Sequence, residues 1–192
     1  MIGLLLAQAA PGAEQWVAAG EAHGCVIESR VSTETEKSAM RGTCVWPEVA
    51  PEKLVAVLGR FDRYAEFISP ITEARVERTD ESGRALVYQR HHFFGIADRE
   101  MLLWMSTVPR DGGTCYEWTT ASDQPLTLDD GTVRVVRNEG LWSVSALPGG
   151  GSRVIHEISL DPGGSIPAWV VRLARGRGFA RILGEVREQG AS

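Results

Sequence analysis

Arg153-Val-Ile-His-Glu-Ile-Ser-Leu160 runs directly into Asp161-Pro-Gly-Gly-Ser-Ile-Pro-Ala-Trp-Val-Val171, and the change of pattern between the two decides the fold. In the first half Val154, His156, Ile158 and Leu160 share one face, and Arg153, Ile155, Glu157 and Ser159 share the other. That period of two is a half-buried strand, and the more apolar first set is expected to face inward. Pro162-Gly-Gly164 breaks the strand. Ser165 is a natural N-cap and Pro167 sits in the first turn of a helix expected to run to about Glu188. Val170, Leu173, Phe179 or Ala180, Leu183 and Val186 make its apolar stripe. One long amphipathic helix launched from a strand needs a sheet to cover.

Upstream, strand follows strand from Ile71 to Leu160. The segments are Thr72–Thr79, Ala85–Phe94, Glu100–Val108, Thr114–Thr120, Thr132–Arg137, Leu141–Ala146 and Arg153–Leu160. Short groups such as Asp80-Glu-Ser-Gly83, Arg110-Asp-Gly-Gly113 and Pro148-Gly-Gly-Gly-Ser152 separate them, so neighbours are expected to pair antiparallel. Pro51 to Phe61 reads as a short helix with Leu54, Val57, Leu58 and Phe61 on its apolar side. Tyr64–Ile68 extends it and Pro70 ends it. Gly12–His23, with Ala13, Trp16, Val17 and Ala18, reads as an opening helix stopped by Gly24.

Cys25–Val31 and Ser38–Val45 read as a hairpin around Ser32–Lys37. If it is centred between Glu34 and Thr35, paired residues sum to 69, and Cys25 faces Cys44 within disulfide reach. An oxidised pair suits an extracytoplasmic protein; two reduced residues on neighbouring strands is the other reading. Two readings also stand for residues 1–12: a signal peptide, for which Ala7-Gln8-Ala9 is the small-x-small site, or a disordered apolar N-terminus. Localisation follows that choice, periplasmic or secreted in the first case and cytoplasmic in the second.

The chain has 192 residues and a net charge of −5, the size of one ordinary domain and too acidic for a general nucleic-acid coat. Hydrophobic residues make up 43%, enough for a packed core. Three cysteines in no zinc spacing make a structural metal unexpected. There is no GxSxG elbow, HExxH, P-loop or dinucleotide glycine motif, and no cofactor is expected.

The Asp161–Val171 junction closely resembles the strand-to-helix junction of START (StAR-related lipid-transfer) domains. Other pieces fall in the same order: Trp16 with Gly24–Arg30, Met40–Cys44, Tyr64–Phe67, Asp98-Arg-Glu100, Gly140-Leu-Trp142 and Ser152–His156. The resemblance covers about residues 13–188 and is to a bacterial-type single-domain member of the helix-grip (Bet v 1-like) superfamily. It implies an α+β fold in which a curved antiparallel sheet of about nine strands wraps the terminal helix around a hydrophobic tunnel. It further implies a monomer that binds one lipid, sterol-like or isoprenoid molecule there, for transport or sensing, without chemistry.

The expected tunnel lining combines strand alternation with that resemblance. Val87, Gln89 and His91 face in from one strand, and Met101, Leu103 and Met105 from the next. Trp118, His156 and Ile158 follow on later strands. Phe67 contributes from the post-helix turn, and Leu173 and Phe179 from the terminal helix. Flexible methionines suit a ligand of imprecise shape. Trp104 then lies on the outer face, where the opening helix and Trp16 are expected to cover it. Sterol-binding relatives often place an acid and an arginine in the tunnel; here those positions are Gln89 and Met105, a departure from that pattern.

His91 and His156 read either as satisfied core groups or as head-group anchors or acid–base residues. Gly176 and Gly178 interrupt the helix stripe, for a bend or for close approach to the sheet. Ile166–Ser192 carries five arginines against two glutamates. A solvated face is the better reading of that charge, and transient contact with a membrane surface the other. The functional alternative to a carrier is a polyketide cyclase or aromatase of the same architecture, with His91 or His156 as general base.

Overall fold

The computed structural model describes residues 15–31, 38–167, 169–170 and 174–192. Residues 1–12, the Ser32–Lys37 turn and Leu173 lie outside the described residues, and so do the side chains of Arg172 and Arg175. Ten strands form one sheet: β1 (Val17–Ala22), β2 (Cys25–Val31), β3 (Ser38–Trp46), β4 (Ile71–Thr79), β5 (Ala85–His91), β6 (Arg99–Arg110), β7 (Gly113–Thr120), β8 (Val133–Arg134), β9 (Arg137–Ala146) and β10 (Ser152–Asp161). Their order is β1-β2-β3-β10-β9-β7-β6-β5-β4, with β8 beside the start of β6. Helix α1 (Pro51–Leu58) and a 3-10 turn (Phe61–Glu66) separate the hairpin from the meander. A π-helical turn (Ala174–Gly178) leads into the closing helix α2 (Phe179–Ala191).

Local chemistry explains the pairing. Asp80 Oδ1 accepts from the backbone N–H of Ser82 and of Arg84, each at 2.9 Å, and closes the β4–β5 turn. Cys25 opposes Cys44, and every other pair of β2 and β3 also sums to 69, as the hairpin reading requires. The two cysteines are joined as a disulfide. Because β10 pairs with both β9 and β3, the N-terminal hairpin enters the sheet through the last strand.

Three expectations are corrected. The opening helix over Gly12–His23 is not found in its described part, where Val17–Ala22 is a strand paired with β2 across a bulge near Gly20. Small residues fit either element, and the unpaired edge of β2 supplies the hydrogen bonds that decide for a strand. Thr132–Arg137 does not add a full antiparallel strand. Val133–Arg134 pairs parallel to β6, and Arg137 already opens β9 opposite Asp161. The Pro51–Phe61 helix stops at Leu58, and a tighter turn carries Phe61 and Tyr64 into the core.

The inward face packs Val87, Met101, Leu103, Met105, Trp142 and Val154 into one core. From α2, Phe179, Leu183 and Val186 close over it. Gly42 makes that approach possible, since a Cβ there would come within 2.8 Å of Leu183 Cδ1. The outer face carries a smaller cluster of Leu86, Tyr88, Leu102 and Ala121, flanked by Trp104 and Leu126. The segment after β7 therefore covers this patch, not an opening helix. Trp104 lies beneath the guanidinium groups of Arg78 and Arg84. Trp16 sits apart, beneath Arg30 and Arg41.

Candidate functional site

The inward face divides into an aromatic stack and a polar end. His156 projects from the middle of β10, opposite Gly42 on one side and Trp142 on the other. Its ring stacks on Trp142 at 3.7 Å between centroids and on Phe179 of α2 at 5.2 Å. Trp118 lies 5.9 Å away at a tilt, over Gly140. His156 Nδ1 donates to the Leu141 carbonyl at 3.0 Å, which leaves Nε2 as an acceptor. Burial pushes the imidazole down to about 4, against a smaller opposing effect of that carbonyl bond.

At the far end of the same face, four polar residues are almost fully enclosed. Gln89, His91, Arg99 and Asn138 are 3%, 8%, 2% and 3% exposed. The His91 ring meets Gln89 Oε1 through Nε2 at 3.0 Å. Desolvation pushes His91 down to about 4 as well. Trp118 Nε1 donates to Asn138 Oδ1 at 2.9 Å, and Asn138 Nδ2 points to Met101 Sδ at 3.1 Å. Arg99 lies directly across from His91 in the β5–β6 pairing.

Of the residues expected to line a tunnel, Val87, Met101, Leu103, Met105, Trp118 and Phe179 lie in the core, with Phe67 and Ile158 packed at its margin. Gln89, His91 and His156 are buried on the same face. The structure thus brings His91 together with Gln89 at one end and His156 with Trp118 and Phe179 at the other. Arg99 and Asn138 were missed by sequence reasoning. Starting the strand at Glu100 instead of Arg99 hid the parity that puts Arg99 on the face of Met101. Asn138 read as part of a turn.

Two hollows are formed by described residues. One, about 410 Å³, lies between the β1–β3 side of the sheet and the π-turn, bordered by Ala22, Ile27, Met40, Gly176, Arg177 and Ala180. The other, about 510 Å³, opens mostly on the outer face, where Trp104, Glu117, Glu139 and Glu157 border it. The second is bordered by charged side chains of the sheet, and the first lies where β1–β3 meet the π-turn and the start of α2. No group of three or more His, Cys, Asp or Glu side chains suited to a metal occurs among the described residues. No helix among them is long and apolar enough to cross a membrane.

Residues 48–187 match the family model described as polyketide cyclase / dehydrase and lipid transport. The chain belongs to that family. Solved structures agree on the fold. A STAR-related lipid transfer protein from Xanthomonas axonopodis superposes with a TM-score of 0.79 at 20% identity, over 92% of this chain and 99% of that one. Human StAR-related lipid transfer protein 5 gives 0.77 at 16% identity, over 95% and 88%. The Zhui aromatase/cyclase from Streptomyces sp. R1128 gives 0.56 at 10% identity, over 79% and 92%. An uncharacterized protein of Pseudomonas aeruginosa is 25% identical over 75 residues, which span 39% of this chain and only 37% of that protein. The curved sheet and closing helix are therefore the START-like helix-grip fold expected from the Asp161–Val171 junction. Among these neighbours the fold is that of lipid transfer proteins and of an aromatase/cyclase.

Proposed function

We propose that the protein binds one apolar small molecule, a lipid, sterol-like compound or isoprenoid, between the sheet and the closing helix, as a carrier or sensor. The tunnel lining is that set out from the sequence, from Val87 and Met101 through Ile158 to Phe179. The observation that carries this reading is the composition of the inward face. An apolar wall with Met101 and Met105 side by side with Val87 and Leu103 ends in a few enclosed polar groups, the pattern of a site that excludes water and orients one end of a ligand. The family's lipid-transport members support it.

The second reading, a cyclase, draws support from the aromatase/cyclase neighbour. It needs His91 or His156 as general base. Both imidazoles are pushed down to about 4, so at neutral pH each is an uncharged, weak base far from the range that makes proton abstraction efficient. We therefore favour binding without chemistry.

Native mass spectrometry of protein purified from its own host tests the proposal. A co-purifying lipid or isoprenoid in one-to-one ratio is the expected result. Ligand-free protein that also takes up neither fluorescent sterol nor fluorescent phospholipid overturns it.

A further inference from the structure

Arg99 is 2% exposed, yet no carboxylate among the described residues lies within ion-pair distance of it. Among the described residues its guanidinium bonds only to backbone: Nη1 donates to the Ala97 carbonyl, and Nη2 reaches the Gly163 carbonyl at a long 3.4 Å. Nε is buried with no partner among the described residues. The other orphaned Nε, that of Arg137, belongs to a residue only half-buried.

The nearby acids are accounted for. Asp98 is held by Arg90 at 2.8 Å and by His92 at 2.8 Å. Glu100 points to the opposite face of β6, where its carboxylate lies 3.4 Å from the backbone N–H of Asp129. Asp161 accepts from the N–H of Gly163. An enclosed cation without an anion is costly, and nearly every buried polar atom in a folded protein has a partner. Moreover, Nε and Nη2 form one edge of the guanidinium, the edge that takes two oxygens of an oxyanion as a bidentate pair. On that edge Nε is open here and Nη2 is held only by the long Gly163 contact, on the inward face, across from His91 and two strand positions from the Gln89–Met101 pair.

We propose that Arg99 is the head-group anchor of the site, and that the ligand is an apolar acid, carrying a carboxylate or phosphate, not a neutral sterol or ester. This rests on the binding proposed above and names its ligand class. Gln89 and His91 flank the anchor as neutral hydrogen-bonding groups, so they do not compete for the anion.

Fluorescence titration with cis-parinaric acid and with its methyl ester tests the assignment on the full chain. The wild type is expected to bind the acid at least about tenfold tighter than the ester. Arg99→Met is expected to lose that preference while keeping its affinity for the ester, and Arg99→Lys to recover part of it. Competition by palmitic acid against hexadecyl phosphate then tells a carboxylate from a phosphate preference. Equal affinity of the wild type for acid and ester overturns the assignment and leaves the binding proposal standing. So does an acid preference that survives in Arg99→Met. Failure to bind either probe overturns both. If Arg99→Met does not fold, the wild-type comparison decides the ligand class and Arg99→Lys decides the residue, an acid preference as strong as that of the wild type overturning the assignment.

Discussion

Gly140 shows how a single missing side chain sets the geometry of the interior. A Cβ there would meet the Glu157 carbonyl oxygen at 2.2 Å and the Trp118 ring at 2.6 Å. Backbone and indole cannot both retreat, because Trp118 is tied to Asn138. Gly140→Ala is expected to cost at least about 3 kcal/mol, read as a fall in the urea midpoint. The two buried histidines make a prediction about pH. Their folded pKa values lie near 4, while the unfolded chain titrates near the ordinary 6.5. Between those values the unfolded state binds more protons, so stability is full above about pH 6.5 and is lost as pH falls toward 4. Each imidazole contributes on the order of 3 kcal/mol to that loss. His156→Phe keeps a ring in the stack and is expected to flatten the dependence by roughly half, compared by urea unfolding at pH 7 and 4.5. At this scale the sequence was partly legible. Alternation placed His156 inside, and alternation together with the family resemblance placed His91 there, but Arg99 stayed hidden, because a charged residue at a strand's first position gives no signal of which face it joins.

Among the elements, the β2–β3 hairpin was the most legible, since strong β-branched strands around a short polar turn leave one sensible register, and Cys25 opposes Cys44 as counted. With its cysteines at a sequence separation of 19, the cross-link is expected to stabilise the domain by about 3 kcal/mol. Cys44→Ala, or reduction before unfolding, is expected to remove it. Thiol titration of denatured, unreduced protein is expected to find one thiol, Cys115, whose pKa burial raises in the native state. The closing helix was legible in its apolar stripe but not in its pitch. A π-turn with Gly176 occupies the place where the stripe is interrupted, and nothing lies within 4 Å of a Cβ added there. That excludes close approach to the sheet at Gly176 and leaves the bend. Gly176→Ala is expected to raise stability by about 0.5–1 kcal/mol and to slow release of bound probe in stopped-flow mixing. Unchanged release would show that this turn does not gate the site. The helix's charge is partly cancelled by its neighbours, Arg181 by Glu185 and Arg187 by Glu48. That agrees with a solvated face better than with a membrane-docking one.

For the molecule as a whole, the succession of strands was legible except at its two irregular members, while the joining of β3 to β10 gave no sequence signal. β1 was obscured because alanine and glycine satisfy helix and strand patterns alike, and β8 because a two-residue parallel pairing has no periodicity to detect. The overall path joins early chain to late chain: β3 lies beside β10, more than a hundred residues further on. During synthesis, the β2–β3 hairpin therefore emerges long before the strand that will cover its flank. Its own closure needs only residues already made. Completion of the sheet, and with it any enclosed interior, has to wait for the last strand to leave the ribosome.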